Sequence, residues 1–80
     1  MRHEGSFAGL VQRIERLGFV IEPSTYRKLK GGGDWIKTDK GAVITWWEST
    51  GTVLIQGETV EAEDIRNALS SQNGRLLWEH

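Results

Sequence analysis

Few residues in this chain have the types and spacing that catalysis needs. His3 and His80 are its two histidines, and both stand near an end, where side chains are ordinarily solvated. There is no cysteine, so no thiolate nucleophile, disulfide or cysteine-held metal is possible. No Ser-His-Asp set is evident. Glu61, Glu63 and Asp64 form an acidic trio. Glu61 and Glu63 are two apart and do not share a helix face, and acids at a helix start are accounted for by the helix dipole. Gly31-Gly32-Gly33 lacks the Lys-Ser/Thr that completes a phosphate-binding loop. The expected chemistry is therefore binding, by a protein that is not an enzyme and uses no cofactor.

The residues that suit binding are aromatic and cationic. Four tryptophans in 80 residues is a high share, and an indole offers a face on which a nucleobase or a partner's side chain can stack. Trp35 and Trp47 are the candidate platforms. Arg27, Lys28, Lys30, Lys37 and Lys40 are the candidate phosphate contacts. Between Tyr26 and Lys40 there are five cations against Asp34 and Asp39, a surplus of three. From Trp47 onward there are six acids against Arg66 and Arg75, a deficit of four, and the rest balances to a net −1. Such asymmetry can orient a partner, although an ordinary mixed surface explains it as well. A near-neutral total argues against strong non-specific binding to polyphosphate.

The elements that must position these residues follow from periodicity. Eighty residues allow one domain core. No apolar run is long enough for a membrane span, and MRHEGSFAG has no signal-peptide core. Residues 1–5 are polar and expected to fray. Ser6 can cap a helix whose apolar stripe is Phe7, Leu10, Val11, Ile14 and Leu17, with Gly18 as its stop. Phe19–Glu22 reads as a short strand ended by Pro23. Ser24 to Lys30 can be strand or loop, with Tyr26 and Leu29 open to either, and Gly31-Gly32-Gly33 makes YRKLKGGG a basic, flexible segment that is either a phosphate-contacting loop or a long hairpin connection. Asp34–Thr38 is a strand, and Asp39-Lys40-Gly41 is a three-residue hairpin turn. GAVITWWESTGTVLIQG, Gly41–Gly57, is a second hairpin rich in β-formers. Thr59 or Glu58 can start a second helix with Ala62, Ile65, Ala68 and Leu69 as its buried stripe. Asn73-Gly74 is expected to end it, leaving Arg75–Trp78 as an apolar tail that adds an edge strand or covers the core.

These turns fix a register. Ile36 opposes Ile44, and Ile44 opposes Ile55; Trp35 opposes Thr45, and Thr45 opposes Leu54; Trp46 opposes Val53, and Trp47 opposes Thr52. Since side chains alternate across a strand, one face carries Ala42, Ile36, Ile44, Trp46, Val53 and Ile55 and belongs against the helices. The other carries Trp35, Lys37, Val43, Thr45, Trp47, Thr52, Leu54 and Gln56. The expected fold is α+β: an antiparallel three- to four-stranded sheet with two helices on one face.

Ser49-Thr50-Gly51-Thr52-Val53-Leu54-Ile55-Gln56-Gly57 resembles the hairpin of the N-terminal domain of ribonuclease HIII, over about Val43 to Leu69. The resemblance implies a fold like one repeat of the TATA-binding protein, and a sheet that holds nucleic acid without acting on it. Thr52 departs from the lysine that family tends to have. The order helix, three strands, helix also resembles double-stranded-RNA-binding domains, but Glu61, Glu63 and Asp64 replace their basic second-helix start. The expectation is a small nucleic-acid-binding module, RNA, DNA or hybrid, using Trp35, Lys37, Trp47, Arg27, Lys28, Lys30 and Lys40. The alternative is that the same face docks a partner protein or a second copy. Without cysteine or a membrane span, a cytoplasmic setting is expected.

Overall fold

A computed structural model describes residues 2–57 and 59–78, with side chains through residue 70. Helix α1 spans Phe7–Arg16. Ser6 holds extended backbone angles, and its hydroxyl accepts from the Gly9 amide at 3.0 Å, which satisfies one of the donors a helix start leaves unpaired. After Leu17 the chain leaves the helix at Gly18, with φ +98°. Leu10 and Ile14 are fully buried, and Phe7, Val11 and Leu17 pack at the margin of the core.

Four strands follow in a meander, β1 Ile21–Lys28, β2 Gly33–Thr38, β3 Val43–Trp47 and β4 Thr52–Gln56, hydrogen-bonded in that order and antiparallel throughout. The registers of β2–β3 and β3–β4 are those the turn residues dictate. Gly41 takes φ +89° in the first turn and Gly51 φ +72° in the second.

The first strand corrects the expectation. Pro23 does not end it, and of the two readings open for residues 24–28, strand or loop, the strand holds. Glu22 pairs with Lys37 and Arg27 with Trp35, so residues 23–26 form a wide bulge opposite Ile36. Proline is tolerated there because the ladder is already interrupted and β1 is an edge strand. Thr25 repairs the gap: its hydroxyl donates to the Glu22 carbonyl at 2.6 Å and accepts from the Lys37 amide at 2.8 Å. The connection to β2 shrinks to Leu29–Gly32, closed by the Leu29 amide on the Gly33 carbonyl at 2.7 Å.

Helix α2 spans Val60–Trp78. Thr59 caps it, its hydroxyl accepting from the Ala62 amide at 3.1 Å; Glu58 lies outside the described residues. The helix runs through Asn73-Gly74, so residues 75–78 are helical and form no edge strand. A glycine inside a helix weakens it by only about 1 kcal/mol relative to Ala, less than a break in the backbone hydrogen bonds would lose. Whether those last side chains cover the core lies outside the described residues. Ala62, Ile65 and Leu69 meet Leu10, Ile14, Ile36, Ile44, Val53 and Ile55 in one core. Both helices therefore lie on one face of an open four-stranded sheet.

Candidate binding face

The helices take the inner face of the sheet, and the outer face is built from the residues that alternate away from them. Trp35 stands at its centre, opposite Arg27 on one side and Thr45 on the other. The Arg27 guanidinium lies over the Trp35 ring, 5.3 Å from its centroid, and Lys37 Nζ lies 5.8 Å away. Such contacts contribute about 0.5–1 kcal/mol at exposed sites, and they keep two cations on the indole's surface. Thr45, paired with Trp35 and Leu54, is buried. Trp47 pairs with Gly33 and Thr52. A Cβ at Gly33 would lie 2.9 Å from Trp47 Nε1 and 3.2 Å from Cε2, so the indole rests across the glycine backbone. Trp35 and Trp47 are half-buried, while Leu54 is 42% exposed.

Of the residues singled out in the sequence, Arg27, Trp35, Lys37 and Trp47 are gathered on this face. Lys30 sits in the β1–β2 turn, at the end of the sheet where Trp47 lies on Gly33, and Lys40 sits in the β2–β3 turn at the opposite end. Lys28 is not part of the face. It pairs with Asp34, which pairs with the inner residue Trp46, and its Nζ donates to Asp34 Oδ1 at 3.1 Å. Glu22 stands opposite Lys37 and offsets part of the charge.

The inner edge holds a cluster that sequence reasoning missed. Asp34 is only 6% exposed, and the Tyr26 hydroxyl donates to the same Oδ1 at 2.5 Å. Donating to that carboxylate raises the Tyr26 phenol above its ordinary value, with burial adding to the effect. The same oxygen raises the Lys28 ammonium by favouring its charged form, against the opposing pull of burial. The signal for this cluster was available: Asp34 opposite Trp46 follows from the turn that set the other pairs.

The N-terminal residues are also corrected. Arg2 bridges to Thr52, and the His3 amide donates to the Gly51 carbonyl at 2.8 Å. His3 is buried instead of solvated. Its Nδ1 faces the Arg13 guanidinium at 3.0 Å, and because arginine can only donate, Nδ1 accepts. Nε2 then carries the hydrogen and donates to the Ser6 carbonyl at 2.9 Å. A small cleft of about 210 Å³ beside this arm is lined by Arg2, His3, Glu4 and the β3–β4 turn. That is below the usual size of a small-molecule site.

Glu61 is buried and accepts from the Thr38 hydroxyl at 2.7 Å, while Glu63 and Asp64 are exposed. Glu61 therefore ties α2 to the β2–β3 turn. Among the described residues no group of three His, Cys, Asp or Glu could hold a metal ion, and no helix is long and apolar enough to cross a membrane. The chain matches no family model, no curated protein and no solved structure.

Proposed function

We propose that this chain is a small binding module that takes nucleic acid on the outer face of its sheet and does no chemistry itself. The observation that carries the reading is the placement of two half-buried indoles and two cations, Arg27 and Lys37, on the face away from both helices. Indoles stack on bases whatever the sequence, and nearby cations meet the phosphates. The hairpin's likeness to that of ribonuclease HIII adds an RNA–DNA hybrid to the ligands worth testing. The lack of cysteine suits a cytoplasmic setting. Size-exclusion chromatography with light scattering, with and without hybrid and single-stranded oligonucleotides at two salt concentrations, tests it. A complex that weakens as salt rises supports the reading; no complex at either salt rejects it.

A second reading has its own observation. Leu54 is exposed and Val43 half-buried on the same face, and Glu22 offsets the cations. An apolar strip of this kind suits a partner protein or a second copy of the chain. In that case Trp47→Ala dissociates the protein complex, and nucleic acid does not bind.

A further inference from the structure

Resting on the nucleic-acid reading, we infer that Gly33 is a positioning residue, which seats the Trp47 indole as a platform for an unpaired base, so that the face takes single-stranded nucleic acid in preference to a duplex. Gly31 and Gly32 have φ of +91° and +95° and turn the chain. Gly33 is different. It has no positive φ and lies in β2, paired with Trp47. A strand position without positive φ admits alanine; the nearest obstacle is the ring itself, 2.9 Å from where the methyl carbon would stand, with Leu29 Cδ1 beside it at 3.3 Å. The third glycine of the triplet is thus the one that lets an indole lie against the sheet.

The two indoles are not equivalent. Trp35 has Arg27 and Lys37 over its ring, so it arrays cations. Trp47 rests on Gly33 on one side and is half-buried. A base can stack on it only if the base's own face is uncovered, as in a single strand and not inside a duplex. The charge fits a short single strand. Arg27 and Lys37 lie on the face and Lys30 at its end, against Glu22 opposite Lys37. Three phosphate contacts at most predict a shallow salt slope, about −2 for a single strand.

A double-variant cycle tests this. Binding of a fluorescent oligothymidylate to wild type, Gly33→Ala, Trp47→Ala and the double variant is measured by anisotropy, with folding checked by circular dichroism. Gly33→Ala is expected to weaken binding about tenfold, within the range for loss of one stacked base. Trp47→Ala should do the same or more, and the double variant should bind no worse than Trp47→Ala. That last comparison stays readable if Gly33→Ala alone fails to fold, because removing Trp47 removes the contacts with the ring and leaves only the flexible end of Leu29, at 3.3 Å. Unchanged binding by a folded Gly33→Ala, or effects that add in the double variant, overturns the inference. Tighter binding of an RNA–DNA hybrid than of a single strand of equal length overturns it and leaves the nucleic-acid reading standing. Wild type that binds no oligonucleotide, or a dimer that Trp47→Ala dissociates, overturns both.

Discussion

Among the described side chains, Trp46 is the indole that the fold itself consumes. It is 2% exposed, with Nε1 donating to the His3 carbonyl at 3.0 Å, His3 edge-on at 5.6 Å and Phe7 stacked at 6.3 Å. Trp35 and Trp47 keep part of their rings in water. Single-tryptophan variants should show this directly. Trp46 emission is expected to be blue-shifted and shielded from acrylamide, with Trp35 and Trp47 quenched; shielding of all three would remove the platform. Ile55, 4% exposed in the core, is expected to cost about 2–5 kcal/mol when cut to alanine. Thermal melting within a degree or two of wild type would contradict the face assignment. Tyr26 and Lys28 give a pH dependence. Both are raised by Asp34, so their stabilising contribution is full below their ordinary values and is lost as pH rises through the raised ones. Stability is therefore expected to fall above about pH 10, less steeply in Tyr26→Phe. Identical alkaline melting curves for the two proteins would count against the bond.

At the scale of elements, the edges of the sheet decide what the chain can join. A free strand edge invites pairing with another chain. The β1 edge is broken by its bulge and by Pro23. The β4 edge is covered at its start by Arg2 and His3, and farther along Arg66 Nε donates to the Ile55 carbonyl at 2.9 Å. Removing residues 1–5 should uncover the start of β4 and leave Trp46 Nε1 without its acceptor. An unpaired buried donor costs about 1–3 kcal/mol, and in a domain this size each kcal/mol lowers Tm by roughly 4–8 °C. Self-association through the exposed edge is expected to accompany the loss. A truncated chain that melts with the full one and stays monomeric would show that the arm is passive.

For the molecule as a whole, layering produces the binding face. Two helices over four strands cover one side of the sheet and none of the other. The core includes Leu10, Ile14, Ile44, Ile65 and Leu69, each 1% exposed or less. A sheet braced on one side keeps the outer indoles in fixed positions, which lowers the ordering cost of binding. The charge asymmetry read along the chain does not become a single basic patch, because Lys28 turns inward to Asp34 and Lys40 lies at the far end of β2.

Much of this was written locally. Gly41 and Gly51, each a turn glycine, set two hairpin registers, and alternation then sorted the inner isoleucines from Trp35, Lys37 and Trp47. Ser6 and Gly18 likewise bounded α1. What local rules did not settle involved partners distant in sequence. Pro23 resembles a strand end until Thr25, bonded across to Lys37, carries the strand over the gap. Residues 2 and 3 resemble a frayed end until Trp46, more than forty positions away, donates to His3. Asn73-Gly74 resembles a stop, yet the helix continues. Gly33 resembles one more turn glycine, and only its pairing with Trp47 shows that the missing side chain makes room for a ring. Turn chemistry and periodicity are properties of neighbours in sequence, so the chain alone determined β2, β3 and β4, their two registers and the faces of those strands. Repair of a bulge, burial of a histidine and the seat of an indole depend on groups that meet only after folding, so the tertiary structure decided them.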